Sequence, residues 1–190
     1  KNAFEIREVT RKHIAFSRTN AYHKDVIWQV PICGIYQVKN AEIAIEAAQC
    51  LLGNKPEHEE MWRDAVAKIQ WQGRMEECAD HFIIDGAHNP GAIEAFVESV
   101  RALKEEEPPI LIFSAVSDKK YEQMIEYLCR NLQTKAFVVT EIEDKRRVPA
   151  DELGEIFKRY ATCPVYVKAD VKDAVACAYE MRTKETYIYC

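Results

Sequence analysis

The stretch Phe82-Ile83-Ile84-Asp85-Gly86-Ala87-His88-Asn89-Pro90-Gly91-Ala92-Ile93-Glu94-Ala95-Phe96 decides the fold. Three apolar residues in a row suit a buried strand. Asn89-Pro90 then marks a helix start, because Asn accepts a hydrogen bond from an orphan backbone N–H and Pro fits the first helical position. An acid, a glycine and a histidine therefore crowd a strand-to-helix turn. In open α/β sheets, ligands gather outside the carboxyl ends of the strands, and the helix beyond offers unpaired N–H groups and a positive dipole end. Asp85 and Gly86 also suit an ordinary turn, but an imidazole at position 88 has no evident apolar packing role.

From about residue 80 onward the same alternation repeats. Strands are expected at Phe82–Ile84, 110–114, 136–140, 165–168 and 187–189, and helices at 90–104, 119–131, 149–160 and 171–182. Tyr121, Met124, Ile125 and Leu128 follow the i, i+3, i+4, i+7 stripe of a helix packed by one face. Strands alternating with helices imply right-handed βαβ units, so the fold class is α/β, a mostly parallel sheet covered by helices. The first seventy residues read differently. Phe4–Val9, 13–17 and 26–30 look like short antiparallel strands, followed by helices at 38–52 and 57–70, with Gly53-Asn54-Lys55-Pro56 ending the first. Three strands and two helices make a small core, so this part is expected to be the tail of a larger domain. Tyr187-Ile188-Tyr189-Cys190 reads as a strand without a following turn, so the chain is expected to be trimmed at both ends.

The bulk numbers bound the function. The 190 residues carry a formal net charge of −5, which gives no electrostatic footprint for nucleic acid. No apolar run reaches the roughly 20 residues of a membrane helix, and no signal peptide opens the chain. The seven cysteines are odd in number and include no Cys-x-x-Cys pair, which fits reduced thiols in a cytoplasm better than disulfides or zinc. His13, His23, His58, His81 and His88 lack metal-ligand spacing, and no metal site is expected.

Two further stretches carry polar groups at element boundaries. Gly34-Ile35-Tyr36-Gln37-Val38-Lys39-Asn40-Ala41 leads into the first helix, and Gln37 and Asn40 offer amides to a purine edge or to solvent. Trp71-Gln72-Gly73-Arg74 follows the second helix, and an Arg beside a glycine suits a phosphate, since its planar fork bonds oxygens bidentately, or equally a linker in solvent. There is no Gly-x-x-x-x-Gly-Lys-Ser/Thr and no Gly-x-Gly-x-x-Gly, so this chain holds no P-loop and no dinucleotide fingerprint.

In combination, Gly34-x-Tyr36-Gln37-x-x-Asn40-Ala41, Trp71-Gln72-Gly73-Arg74-Met75-Glu76 and Asp85-Gly86-Ala87-His88-Asn89-Pro90 resemble the folylpolyglutamate synthase/dihydrofolate synthase family of the Mur ligase superfamily. The order and separations match as well. The resemblance implies the C-terminal part of a P-loop ATPase domain over residues 1–72 and a Rossmann-like C-terminal domain over 73–190. It implies an ATP- and Mg²⁺-dependent ligase that activates a folate carboxylate as an acyl phosphate and joins it to L-glutamate, some members also acting on dihydropteroate. Asn40 would lie near the adenine, Arg74 would reach the ATP phosphates and serve catalysis, Asp85 would contact the nucleotide, and His88 would place the incoming glutamate.

The Mg²⁺ ligands and the P-loop are expected in the part of the parent that precedes this chain, so the fragment alone is expected to be inactive. The parent is expected to be cytoplasmic and monomeric, with small-molecule partners only. Three departures stand out: Gln72 where the family often has proline, Lys120 after Asp118-Lys119 where it has a second acid, and no Gly-Ser-Leu-Tyr after the last strand. The competing readings are another Mur-type amide ligase, or a non-catalytic α/β nucleotide-binding module. A receiver-like version of the latter would want clustered acids at the first strand end, which Asp85 alone does not supply.

Overall fold

The computed structural model describes residues 4–19, 26–53 and 55–190, so His23 and Asn54 lie outside the described residues. The chain divides into two compact units, residues 1–76 and 77–190.

In the first unit, β1 (Phe4–Val9), β2 (Ile14–Arg18) and β3 (Ile27–Val30) form an antiparallel meander in the order β1-β2-β3. Phe16 lies opposite Ile6 on one side and Trp28 on the other. Its ring meets Phe4 edge-on at 5.2 Å and stacks on Trp28 at 6.4 Å, so the centre strand is held by aromatic cross-strand pairs. Helix α1 spans Tyr36–Leu52 and buries Gln37, Val38, Ala41 and Ile45. Helix α2 spans Pro56–Val66 and ends four residues before the periodicity predicts. It closes in tight i→i+3 bonds, Lys68 N–H to Ala65 O and Ile69 N–H to Val66 O, the usual way a last turn tightens.

The second unit contains a strand the sequence pattern does not announce. β4 (Glu76–Ala79) pairs with β5 (Phe82–Ile84) through the two-residue link Asp80-His81, with His81 in the left-handed region at φ 57°. β4 is mostly exposed and lacks an apolar alternation, which is why periodicity misses it. The sheet continues with β6 (Ile110–Phe113), β7 (Ala136–Val139), β8 (Val165–Val167) and β9 (Ile188–Tyr189) in the order β4-β5-β9-β6-β7-β8. All pairings among β5, β9, β6, β7 and β8 are parallel, as the βαβ alternation predicts. The last strand is thus an interior one, between β5 and β6, and Ile188 and Tyr189 are fully buried.

Helices α3 (Pro90–Leu103), α4 (Tyr121–Asn131), α5 (Ala150–Tyr160) and α6 (Val171–Met181) make the crossovers. The steps β5→β6→β7→β8 advance in one direction and β8→β9 returns, so right-handed crossovers put α6 on the face opposite α3–α5. Side-chain alternation agrees. Ile110, Ile112, Val138 and Ile188 join Ala174 and Ala178 of α6 in one core. Phe113 and Phe137 turn the other way, onto Phe157 of α5, with ring centroids 5.3 and 4.7 Å apart. Near the amino ends of the strands, Glu107 accepts hydrogen bonds from Thr186 at 2.6 Å and Thr183 at 2.7 Å. These bonds, with Lys135 beside it, hold its carboxyl below the usual range and pin the segments entering β6, β7 and β9.

Candidate functional site

All five parallel strands deliver their carboxyl ends to one edge, so the loops after β5, β6 and β7 converge there. The loop after β5 is ordered by its own side chains. Asp85 Oδ1 accepts the Ala87 N–H at 2.9 Å, a local turn that short acids favour. The Asp85 N–H continues the sheet ladder to Cys190 O at 2.9 Å. Asn89 has extended backbone and its Oδ1 accepts the Ala92 N–H at 3.0 Å, capping α3 as the sequence predicts.

His88 is exposed, and its Nδ1 lies 2.7 Å from Gly86 O. A carbonyl oxygen only accepts, so Nδ1 carries the proton. In the neutral ring Nε2 is then an acceptor, matched to an amine N–H. A donor bond from Nε2 to a carboxylate requires the imidazolium.

Two cavities meet at this loop. One, of about 190 Å³, is lined by Asp85, Gly86, Ala87 and His88 together with Phe96, Ser114 and Cys190. The other, of about 330 Å³, shares Ala87, His88 and Ser114 and adds Lys119, Met124, Ile142 and Arg146. Lys119 and Arg146 come from the loops after β6 and β7, which are stitched together by Ser117 N–H to Arg146 O at 2.7 Å and Val148 N–H to Ala115 O at 3.0 Å. Asp144 grips the Arg146 guanidinium with both carboxylate oxygens, at 3.2 and 3.3 Å, and accepts its backbone N–H at 2.7 Å. Asp118 adds a contact at 3.4 Å. The Arg146 side chain and its backbone N–H hold the Asp144 carboxyl below the usual range, and Asp144 raises the guanidinium in turn.

Asp85 and His88 are therefore together in the second unit, while Asn40 and Arg74 belong to the first. Asn40 stands on α1 with its Nδ2 donating to Gln37 Oε1 at 2.7 Å, and Gln37 is buried. Arg74 follows Gly73, whose φ of 66° suits glycine, in a turn fastened by Gly73 N–H to Glu76 Oε2 at 2.7 Å. The Cys33 thiol donates to Met75 O at 3.3 Å on the other side of it. The Arg74 guanidinium is half-buried and pairs with no carboxylate among the described residues. Among the described residues no group of three His, Cys, Asp or Glu side chains is arranged to hold a metal ion. Sequence reading missed Arg146 altogether and left Lys119 without a role. Each stands just past the carboxyl end of a parallel strand, which is the signal that finds them.

Comparison with known proteins agrees with the fold and with the family resemblance. The chain is 29% identical over 121 residues to the dihydrofolate synthase/folylpolyglutamate synthase of Bacillus subtilis (strain 168), covering 62% of this chain and 28% of the relative. It is 31% identical over 110 residues to the folylpolyglutamate synthase of Lacticaseibacillus casei, covering 56% and 26%. The matches thus span little more than a quarter of those relatives. The solved structure of Mycobacterium tuberculosis folylpolyglutamate synthase complexed with ADP superposes with a TM-score of 0.83 at 18% identity, over 100% of this chain and 45% of that one. The family model "Mur ligase, glutamate ligase domain" matches residues 73–190, and the chain belongs to that family.

Proposed function

We propose that the protein carrying this chain is an ATP-dependent ligase that adds L-glutamate to folates, with dihydropteroate as a candidate second acid substrate. The substrate carboxylate attacks the γ-phosphorus of ATP and ADP leaves, giving an acyl phosphate. The glutamate amine then attacks the acyl carbon, phosphate departs, and the amine loses a proton as the amide forms. Mg²⁺ would neutralise phosphate charge, and its ligands are assigned to the part of the parent that precedes this chain. This fragment alone is accordingly proposed to be inactive, and the parent to be a cytoplasmic monomer.

Within that reaction Asn40 is assigned to the adenine. Its Nδ2 bond to Gln37 leaves Oδ1 and the second N–H for a purine edge that offers a donor beside an acceptor. Arg74 is assigned to the phosphates, where an unpaired guanidinium offsets developing charge, and Asp85 to the nucleotide. The observation that carries the reading is His88. Its Nδ1 proton is committed to Gly86 O and its ring lines both cavities, so the neutral Nε2 is an acceptor suited to the incoming amine.

The test is ADP release by the intact parent with Mg²⁺-ATP, glutamate and tetrahydrofolate, for the wild type and for His88→Asn and His88→Gln. The Asn amide mimics the Nδ1–H and the Gln amide mimics the Nε2 position. Folate-dependent turnover is expected. Gln should raise the KM for glutamate less than Asn, by a factor of roughly 5, the worth of one hydrogen bond of about 1 kcal/mol. Activity only with a cell-wall nucleotide precursor would move the protein to another Mur-type ligase. Silence with every acid substrate would favour a nucleotide-binding module.

A further inference from the structure

Arg74 stands between two left-handed residues, Gly73 at φ 66° and Met75 at φ 50°. Glycine takes that conformation freely, whereas in an L-residue it crowds Cβ against the following carbonyl. Among the described residues two other non-glycine residues share it, His81 and Lys104, and both stand where it is usual. Lys104 follows the end of α3, and His81 sits in the two-residue link between β4 and β5. Met75 has no such setting, since it leads straight into β4. Its surroundings hold it there. The Met75 side chain is buried, and its carbonyl accepts the thiol of Cys33, itself buried, at 3.3 Å. Gly73 N–H donates to Glu76 Oε2 at 2.7 Å on the other side of Arg74. Cys33 lies just before the entry to α1, so the thiol bond ties the turn to a segment 42 positions away. Backbone strain persists only where the surroundings over-determine it, and it gathers where a geometry is used. What this geometry carries is Arg74, half-buried and paired with no carboxylate among the described residues.

We infer that Met75, held left-handed by its buried side chain and by the Cys33 thiol, is a positioning residue for Arg74. The left-handed turn sets the direction in which the Arg74 side chain leaves the backbone, so the guanidinium is aimed before the nucleotide arrives. A group already oriented loses little freedom when it meets developing charge. Cys33 acts one step further back, by fixing the Met75 carbonyl. The inference rests on the ligase reading for the role of Arg74 at the transferred phosphate, and it adds to that reading how the side chain is aimed.

The experiment compares the full-length protein with its Met75→Ala, Met75→Gly, Cys33→Ala and Cys33→Ser variants in two readouts. The first is kcat for ADP release with saturating Mg²⁺-ATP, glutamate and tetrahydrofolate. The second is the equilibrium affinity for ATP relative to ADP, by isothermal titration calorimetry. Met75→Ala removes the buried anchor but keeps Cβ, so position 75 relaxes out of the left-handed region. Met75→Gly removes the anchor and the crowding together. Glycine holds that conformation roughly 5- to 30-fold more readily than alanine. Both readouts should therefore fall in the order wild type, Met75→Gly, Met75→Ala, the two variants differing by up to that factor. If Met75 only filled space, the deeper truncation to glycine would be the more damaging one. Cys33→Ala should lower kcat by roughly 2- to 5-fold, the worth of a weak hydrogen bond, and Cys33→Ser, which keeps a donor, should recover part of it.

A Met75→Ala enzyme at least as fast as Met75→Gly overturns the inference and leaves the ligase reading standing. A wild type silent with folate, whose preference for ATP over ADP still falls in the order wild type, Met75→Gly, Met75→Ala, does the reverse. Where neither Met75 variant folds, the Cys33 pair decides: Cys33→Ala at the full wild-type kcat overturns the inference, and a loss that Cys33→Ser recovers supports it. A wild type that neither releases ADP nor binds ATP overturns both.

Discussion

Replacing Gly154 by alanine sets two opposed terms against each other. Gly154 lies buried inside α5, where alanine is favoured over glycine by about 1 kcal/mol because glycine loses more backbone freedom on entering a helix. Against that, an ideal Cβ at this position would stand 2.5 Å from Val167 Cγ2 in β8, closer than real contacts allow. Val167 is stiff about χ1, and its backbone is paired opposite Val139, so the methyl cannot simply swing aside. Overpacking of this kind costs about 1–3 kcal/mol. The net expectation is destabilisation of about 0–2 kcal/mol, with a melting point lower by roughly 2–4 °C per kcal/mol.

Val167→Ala removes the offending methyl, and the next side-chain atom, Cβ, is at 3.8 Å. In that background Gly154→Ala should stabilise by up to about 1 kcal/mol, leaving only the helix term. Urea unfolding of the four proteins, followed by circular dichroism, measures the coupling from the midpoints at constant slope. A Gly154→Ala effect of the same size and sign in both backgrounds would refute the claim that close helix–strand approach requires glycine here.

Two further outcomes are expected. Asn89→Ala should cost about 1 kcal/mol in the same unfolding assay by freeing the Ala92 N–H, while Asn89→Asp should keep most of the stability; an alanine variant as stable as the wild type would count against the cap. Burial pushes the Cys129 thiol up to about 12, so at pH 8 on the order of one molecule in 10⁴ holds it as the reactive thiolate. Iodoacetamide labelling of the native protein, read by mass spectrometry, should therefore mark the exposed Cys50 long before Cys129 and gain speed at Cys129 tenfold per pH unit; equal labelling rates at pH 8 would contradict the buried setting.

Much of the second unit was legible because its physics is local. Alternating buried strands and one-faced helices announce themselves through period and caps, and the Asn89 cap appears as predicted. What failed depends on partners distant in sequence. β4 is exposed along most of its length and exists because β5 offers it an edge, which no apolar pattern in residues 76–79 records. The early stop of α2 at Val66 is the local exception, since there the last turn simply tightens. Strand order is the larger case. β9 comes last in the chain but inserts between β5 and β6, a placement fixed by the return crossover through α6 and by the burial of Ile188 on that helix's face.

The site follows the same division. Asp85, His88 and Asn89 sit in one hexapeptide, so a reader of the sequence sees them together. Lys119 and Arg146 are 31 and 58 positions beyond His88, and they face one cavity with it only because β5, β6 and β7 run parallel and end at one edge. A βαβ repeat spaces such residues by the length of a strand, a helix and their turns, roughly 30 residues each. The informative pattern is therefore a cation or imidazole just past each successive strand end, at about that interval. Here it is His88, Lys119 and Arg146, with Asp118 and Asp144 bonded to the last of the three. A cation buttressed by acids that stay out of the cavity is built to be presented, whereas a cation neutralised within its own cavity is not. Arg146 lines the cavity that His88 also lines, which brings the loop after β7 to the candidate site.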